Sequence, residues 1–387
     1  MNRAVPRRLF ILVSSLVLIE VMFYSVLSPL LPYYVRHLHE SKAAAGILTA
    51  SYAIGALVSA IPAGLIVGRV GARRGAVSGM FLLGATCLAF GFADSIYALD
   101  AARFVQGVAS SFIWTGGLTW LVVESSAERR GEVVGSVLGI AIAGSALGPV
   151  VGAIAELAGP KLAFSCLAGA IITLALVALA APQPPVGERH PARELLRAVG
   201  RDRRMLAGMW FTTLGALMFG VLSVLGPLQL SALGAGTLGI AATFFVSSVL
   251  EAFASPVIGR ASDRRGPMPV VRLSLASASL AALLLALPQT LWLFAPAILV
   301  AALCFGAAWV PASSLLSKGA EARGIDLSIA YALWNMAWAA GQTVGAGLGA
   351  RIAQATSDAI PYVLLSALSL ATLVVITRRR SRISGAA

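Results

Sequence analysis

Two carboxylic acids lie deep inside long apolar stretches of this sequence. Glu20 stands in IEVMFYSVLSPLLPYY and Glu251 in VSSVLEAFASP, and each falls about 11 to 13 residues into its run, which is about 16–20 Å along a helix. A charged residue at the centre of a bilayer costs about 2.5–3.5 kcal/mol on insertion scales. Desolvation favours the neutral acid, so each carboxyl is either a proton-binding or ligand-binding group or one half of a structural hydrogen bond.

Other polar side chains also fall within apolar stretches. Arg103 lies in ARFVQGVASS, about one helical turn inside the predicted span, and a guanidinium there needs a carboxylate, carbonyls or water unless it reaches the membrane surface. Gln106 follows it by one turn. On a later run, Asn335 and Gln342 are seven residues apart and are therefore predicted to share one helix face.

No metal or other cofactor is expected. His37 and His39 precede Glu40 in a short connecting segment, and histidines two residues apart on an exposed segment are predicted to be solvated. The cysteines lie inside apolar segments without the spacing of a zinc site or a disulfide framework, and are predicted to be apolar filler. They are Cys87, Cys166 and Cys304.

Composition places the chain in the membrane. Of its 387 residues, 58% are hydrophobic and 12% charged, against roughly 25% charged in soluble proteins. The apolar residues form continuous runs that are long enough to cross about 30 Å of hydrocarbon as helices, and they do not alternate in polarity as β-barrel strands do. The net charge of +13 is scattered over short loops, which argues against nucleic acid as a partner.

Twelve apolar runs are predicted to span the membrane, and the connection 182–204 divides them six and six. Of the 29 Lys and Arg residues, 24 fall on one set of loops and four on the other, so both termini and the connection are predicted to be cytoplasmic. The first run is expected to be a retained span, because it shows no cleavage site. The runs are 9–34, 43–67, 75–93, 98–123, 132–157, 161–181, 205–230, 238–259, 268–287, 291–316, 326–352 and 358–377.

The two halves of the chain, 1–181 and 205–387, are predicted to be copies of one domain. SVLSPLLP at 25–32 matches GVLSVLGP at 220–227, ERRG matches EARG, and the pairs Gly148 with Gly341 and Gly152 with Gly345 follow in register. Two related six-helix bundles predict a binding site near the membrane midplane where they meet, and rocking of one bundle against the other.

The loop GRASDRRG at 259–266 resembles the helix 2–3 signature of the major facilitator superfamily, and the resemblance extends over nearly the whole chain. Gly259, Asp263, Arg264 and Gly266 match the signature. The first copy keeps Arg69 and Gly71 but has Gly68 where the aspartate is expected. The resemblance implies the major facilitator fold of twelve transmembrane helices, with these loops as cytoplasmic gates, the first weaker than the second. The alternative is that the basic loops serve only topology.

Three further stretches resemble subgroups of this superfamily. Arg103, Gln106 and Gly107 resemble its helix 4 signature, and GSVLGIAIAGSALGPVVG at 135–152 resembles the helix 5 signature of drug–proton antiporters, with Ala153 where a second glycine is usual. Glu20, nine residues before Pro29, resembles the acidic residue of vesicular amine transporters and bacterial drug exporters, whereas Asn335 replaces an aspartate of the vesicular group. The resemblance implies a gating role for Gly144, Gly148, Pro149 and Gly152. The three glycines recur every four residues and are therefore predicted to lie on one face of the helix.

The expected function is therefore proton-coupled efflux of small amphipathic or cationic compounds by a lipid-embedded monomer of the inner membrane, and not an enzymatic reaction. Two alternatives remain at this stage: a carrier of one metabolite (a sugar, amino acid or siderophore) and a membrane sensor without transport. Proton coupling is assigned to Glu20, Arg103 and Glu251. The candidate substrate-binding residues are Glu20, Tyr24, Gln106, Trp114, Phe219, Gln229, Asn335, Trp338 and Gln342, with Trp120 and Trp334 as further possible lining.

Overall fold

The computed structural model describes residues 6–126, 129–183, 202–287, 290–323 and 327–384. Within these ranges the chain forms α-helices joined by short turns, and no strand is present in them. This is the result that the apolar runs predict, because in hydrocarbon a helix satisfies every backbone donor and acceptor within one segment. Most of the predicted connection 182–204 lies outside the described residues.

Fourteen helices are described and are numbered here in chain order. The first seven are α1 (Arg7–Ser25), α2 (Leu27–His37), α3 (Lys42–Val70), α4 (Ala72–Gly91), α5 (Ile96–Glu124), α6 (Arg130–Ala158) and α7 (Pro160–Ala180). The others are α8 (Arg203–Ala232), α9 (Thr237–Arg265), α10 (Pro267–Ala286), α11 (Leu291–Gly306), α12 (Trp309–Glu321), α13 (Leu327–Ala355) and α14 (Ala359–Ser384).

Ten candidate membrane spans emerge from these helices by length and mean hydropathy, with α1–α2 and α11–α12 each counted as one span. The other two long helices, α5 and α13, have 29 residues each but are more polar, since α5 carries Arg103 and Gln106 and α13 carries Asn335 and Gln342. These spans make the chain an integral, multi-pass membrane protein. A total of twelve spans stays a prediction.

Two of the predicted runs, 9–34 and 291–316, each consist of two helices instead of one. Pro29 lacks the N–H that would bond to the carbonyl of Ser25, where α1 ends, and Ser28 Oγ lies 3.4 Å from that oxygen. Pro311 likewise has no donor for Ala307, which lies between α11 and α12. The residues at both junctions keep right-handed helical dihedrals, and each pair of helices forms one candidate span.

The described chain falls into two compact units. The first comprises Met1–Glu40, Ile47–Ala198 and Gly236–Val249, and the second Ser41–Gly46, Val199–Ala235 and Leu250–Ala387. Helices α3 and α9 therefore each begin in one unit and continue in the other. The division into domains 1–181 and 205–387 stays a prediction.

In the first unit, α6 packs on α1 and α2 through its glycines. A Cβ on Gly144 would lie 2.6 Å from Leu18 O, on Gly148 2.7 Å from Met22 O, and on Gly152 2.7 Å from Pro29 Cγ. Real Cβ atoms essentially never come so close, so only glycine allows this backbone approach. Close packing of α6 against α1 and α2 therefore explains the glycines of the helix 5 signature in this structure.

The second unit repeats this arrangement between α13 and α8. A Cβ on Gly341 would lie 2.9 Å from Ala216 Cβ, and one on Gly345 would lie 2.9 Å from the carbonyl carbon of Leu217. These are the two glycines that the internal repeat pairs with Gly148 and Gly152. The repeat seen in the sequence is therefore also a repeat of helix packing.

Candidate functional site

Glu20 is fully buried in the first unit and is held by two donors. Its exposed fraction is 0%. Tyr52 donates its hydroxyl to Glu20 Oε1 at 2.6 Å, and the indole N–H of Trp114 donates to Oε2 at 2.9 Å. Tyr52 Oη also lies 2.8 Å from Ser110 Oγ; since the phenol has one hydrogen, Ser110 acts as a donor to Tyr52 when Tyr52 donates to Glu20.

Arg103 is also buried, at 1% exposure, and its guanidinium is held by neutral oxygens. Nη1 donates to Gln106 Oε1 at 2.8 Å and to the carbonyl of Phe23 at 3.4 Å. Nη2 donates to the carbonyl of Tyr24 at 3.2 Å. Nε and the Gln106 amide nitrogen have no hydrogen-bond partner among the described residues. The charge is therefore kept inside the unit by carbonyls near the junction of α1 and α2, and does not reach the surface.

Tyr52 lies between the carboxyl and the guanidinium. Its hydroxyl bonds to Glu20, while the Arg103 guanidinium carbon lies 5.4 Å from the centre of its ring and 5.7 Å from the ring of Tyr24. The two tyrosine rings are 4.6 Å apart. Cation–π contacts of this kind strengthen when the cation is desolvated. Tyr52 thus connects the buried acid to the buried base.

A crossing of α3 and α5 positions Tyr52 against the polar face of α5. A Cβ on Gly107 would lie 2.7 Å from the backbone nitrogen of Ala56, and one on Gly55 would lie 2.9 Å from the carbonyl carbon of Phe104. The two glycines therefore allow the backbones to touch. Tyr52 lies one turn before Gly55, so this contact places it beside the residues one turn on either side of Gly107.

The sequence predicted most of this group but missed Tyr52 and Ser110. The structure brings Glu20, Tyr24, Arg103, Gln106 and Trp114 together, as their assignment to one site requires. Tyr52 lies on an apolar helix without a motif, and Ser110 is one of many small residues on α5. The only available signal was the glycine one turn after Tyr52, which marks a close helix crossing.

The predicted residues of the second unit do not form one comparable network. Gln342 is 1% exposed and its amide lies 3.4 Å from Ser223 Oγ, whereas Asn335, seven residues earlier, is exposed. Gln229 accepts from the hydroxyl of Tyr362 at 3.4 Å. Trp338 is partly buried on α13.

Glu251 and Phe219 lie beside the junction of α11 and α12. A Cβ on Gly306 would lie 3.0 Å from Glu251 Cδ, so the carboxyl packs against that glycine. The Phe219 ring is 6.1 Å from that of Phe305 and 5.0 Å from that of Trp309. The sequence predicted roles for Glu251 and Phe219 separately, but it did not predict that both side chains contact residues at this junction.

The prediction that 259–266 forms a loop is wrong, because residues 259–265 are the end of α9. Arg69 likewise lies within α3, and a single non-helical glycine joins the two helices at each of the predicted gates. Gly71 (φ 94°, ψ 157°) caps α4 and Gly266 (φ 81°, ψ 161°) caps α10, and only glycine adopts these angles without strain. Arg69, Asp263 and Arg264 are exposed, and Asp263 has no hydrogen bond or ion pair with a described residue. The gate role of these side chains stays a prediction.

Two other polar contacts, which the sequence did not single out, join helix ends within a unit. Arg73 Nη1 donates to Leu179 O at 2.8 Å, and its Nε donates to Gln183 Oε1 at 3.2 Å, so the start of α4 is tied to the end of α7. Asp202 caps α8 by accepting from the N–H of Arg204 at 2.7 Å. It also accepts from Arg323 Nε at 2.8 Å, and this hydrogen bond is the main cause that lowers the pKa of Asp202.

The histidine pair shows one ring contact. His37 stacks on Tyr33 with ring centres 5.4 Å apart. Across the described part of the chain, no three His, Cys, Asp or Glu side chains lie close enough together to hold a metal ion.

Comparison with known proteins gives partial matches to several curated transporters. The chain is 29% identical over 158 residues to the MFS-type transporter ppzB of Metarhizium rileyi, covering 39% of this chain and 32% of that protein. It is 28% identical over 186 residues to the probable vesicular acetylcholine transporter-B of Danio rerio (44% and 38% covered). It is 24% identical over 171 residues to multidrug resistance protein 2 of Bacillus subtilis (44% and 42%). Each match thus spans less than half of the relative.

Solved structures match over almost the full chain, and they show the fold. A bacterial homologue of the human lysosomal transporter Spinster, in an inward-facing and occupied conformation, superposes with a TM-score of 0.77 at 14% identity, covering 95% of this chain and 94% of that one. The family model described as Major Facilitator Superfamily matches residues 13–330, which is most of the sequence. The chain therefore belongs to the major facilitator superfamily and is a transporter rather than an enzyme.

Proposed function

We propose that this transporter exports small amphipathic or cationic organic compounds in exchange for protons. The observation that carries the proposal is the buried carboxyl of Glu20, which two donors hold in place while a buried arginine lies on the far side of Tyr52. The names of two relatives support it, since one is called a probable vesicular acetylcholine transporter and another a multidrug resistance protein. Acetylcholine is an organic cation.

The geometry at Glu20 suits a carboxyl group that exchanges a proton for a cationic substrate. The hydrogen bonds from Tyr52 and Trp114 point at the two oxygens and stabilise the carboxylate, because charge-assisted hydrogen bonds are about twice as strong as neutral ones. A proton on either oxygen removes this charge and displaces one of the two donors. A cation from the substrate would engage the same oxygens. Proton and substrate therefore compete, and competition at one site is what drives the two in opposite directions.

We assign to Arg103 a side-chain position that depends on the charge of Glu20. When Glu20 is ionised, the guanidinium is attracted towards it across the Tyr52 ring; when Glu20 is neutral, this attraction is lost. Because Arg103 also holds the carbonyls of Phe23 and Tyr24, a change of its position acts on the junction of α1 and α2. We assign substrate contacts in this unit to Tyr24, Gln106 and Trp114.

The remaining predicted residues complete the proposal. Glu251 is assigned as a second coupling carboxyl. Alternating access would involve the two predicted gates and the glycine face of α6, in a monomer of the inner membrane with both termini cytoplasmic and with domains 1–181 and 205–387 as the moving bodies. The further substrate-binding residues are Phe219, Gln229, Asn335, Trp338 and Gln342. The gating residues are Arg69, Gly71, Asp263, Arg264, Gly266, Gly144, Gly148, Pro149 and Gly152.

Transport by the purified chain in liposomes tests the proposal. One proton moving down 100 mV supplies about 2.3 kcal/mol, enough for an outward gradient of about 50-fold if one proton exchanges for one neutral substrate. Vesicles with an imposed pH gradient are offered a panel of organic cations, neutral drugs, sugars and amino acids. Gradient-dependent movement of the cations or drugs is expected. Uptake of a single sugar or amino acid, unaffected by the pH gradient, would contradict the proposal and favour a metabolite carrier.

A further inference from the structure

The junction of α11 and α12 brings together a partly buried carboxyl and an aromatic cluster. Glu251 packs against Gly306, the last residue of α11, and Trp309 is the first residue of α12. Ala307 and Ala308 between them keep right-handed helical dihedrals. Gly306 and Trp309 are therefore neighbours at helical spacing, with about 5–6 Å between Cβ positions. The glycine that the Glu251 carboxyl contacts thus lies one turn before the tryptophan.

Three aromatic rings form a continuous wall at this place. The Trp309 ring is 5.0 Å from Phe219 at an interplanar angle of 43°, and 6.1 Å from Trp334 at 87°. A Cβ on Gly215 would lie 2.5 Å from Trp309 Nε1, so the edge of the indole fills the space that this glycine leaves. Trp309 is thus fixed in orientation by α8 on one edge and by two rings.

The carboxyl lacks what usually stabilises a charge in the membrane. Neither oxygen of Glu251 forms a hydrogen bond or ion pair with any described residue, and no Lys or Arg within the described ranges forms a salt bridge with it. This contrasts with Glu20, which has two donors. The three rings and the carboxyl all belong to the second unit.

We propose that Glu251 with Phe219, Trp309 and Trp334 forms a binding subsite for an organic ammonium ion that carries an aromatic ring. The carboxylate supplies the counter-charge, and the aromatic faces bind a desolvated cation through cation–π attraction. Gly306 is required because a side chain there would occupy the space of the carboxyl. This inference rests on the proposed transport function and deepens it, because it adds a second cation-binding place in the other unit of the chain.

Equilibrium binding of tritiated benzyltrimethylammonium to the full chain in detergent at pH 8 tests the subsite. Glu251→Gln keeps the shape and removes the charge, and is expected to weaken binding at least 10-fold. Trp309→Leu removes the aromatic face and is expected to weaken binding about 10-fold, whereas Trp309→Phe retains a face and changes binding less than about 3-fold. Glu132→Gln, on an exposed glutamate at the start of α6, is the charge-matched control and is expected to bind as the parent does.

A neutral analogue separates charge recognition from simple apolar binding. Neopentylbenzene has the shape of benzyltrimethylammonium without the charge, and it is expected to compete at least 10-fold more weakly than the cation with the parent chain. Equal competition by the two compounds would overturn the proposal, as would unchanged cation binding in Glu251→Gln. A thermal unfolding curve within a few degrees of the parent confirms that each variant is folded.

The result does not depend on proton coupling, so the two proposals can fail separately. Gradient-driven transport of organic cations without Glu251-dependent binding would overturn the subsite and leave the proposed function in place. Binding that depends on Glu251 and Trp309, in a chain that shows no proton-driven transport, would support the subsite and contradict the proposed function.

Discussion

The glycine face of α6 makes a strong prediction about a single added methyl group. In Gly152→Ala the new Cβ would lie 2.7 Å from Pro29 Cγ and less than 3.0 Å from the carbonyl oxygen of Val26. Non-bonded carbon atoms pack at about 3.5–4.0 Å, so α6 must move away from α2 by about 1 Å. The backbone of α2 cannot rotate out of the way as a side chain could.

Overpacking of this kind typically costs 1–3 kcal/mol, and we expect Gly152→Ala to lower the free energy of unfolding by that amount. Gly139, on the same helix, is the matched control, because a Cβ there would have no heavy atom within 4 Å. Replacing glycine by alanine in an open helix position favours the helix by up to about 1 kcal/mol, so Gly139→Ala is expected to be neutral or stabilising.

The assay is reversible unfolding of the two variants by sodium dodecyl sulfate in mixed micelles, followed by circular dichroism. Transport is measured in parallel, since a displaced α6 also disturbs the part of α1 that carries Glu20. The reasoning is refuted if Gly152→Ala and Gly139→Ala have equal stability, because the close approach of the helices would then not determine the packing of this unit.

Three further predictions concern polar contacts. Asp202→Asn removes the charge that pairs with Arg323, while the asparagine oxygen still caps α8, so the expected cost is at most about 1 kcal/mol. Because the pKa of Asp202 is lowered in the folded chain, this contribution is present above about pH 4 and is lost as the pH falls below that, which unfolding measured between pH 3 and pH 7 checks. Tyr52→Phe keeps the ring over Arg103 but removes a bond to Glu20, which is worth about 1.5–3 kcal/mol when the acceptor is charged, and should reduce proton-driven transport by 10-fold or more. Arg73→Gln should speed proteolysis near the end of α7, since the carbonyls of Leu179 and Ala181 lose their donor.

The fold could be predicted from the sequence because lipid leaves the backbone few choices. Runs of apolar residues long enough to cross a bilayer become helices, and nearly all of the predicted runs begin and end within a few residues of observed helices. The junctions near Val26 and Ala307 were not predicted, although the prolines that follow them were visible, because a proline in a membrane helix is compatible with either a bend or a break.

The candidate site was predicted in part, and the missing part has a physical reason. Glu20 and Arg103 are conspicuous because a charge inside an apolar run is costly, so each needs an explanation. Tyr52 and Trp309 are ordinary residues in such runs, and only the crossing of two helices gives them a role. The contact of Glu251 with Gly306 depends on where α9 meets the α11–α12 junction, which no local pattern encodes.

Proton release on substrate binding is the most direct test of the claim that Glu20 exchanges a proton for substrate. A weakly buffered detergent solution of the purified chain with a pH indicator is mixed with the cation that the liposome panel identifies. The parent chain and the Glu132→Gln control are expected to release protons on binding, and Glu20→Gln is expected to release at least one proton fewer per bound cation. Equal proton release from Glu20→Gln and from the parent chain would contradict the role of Glu20.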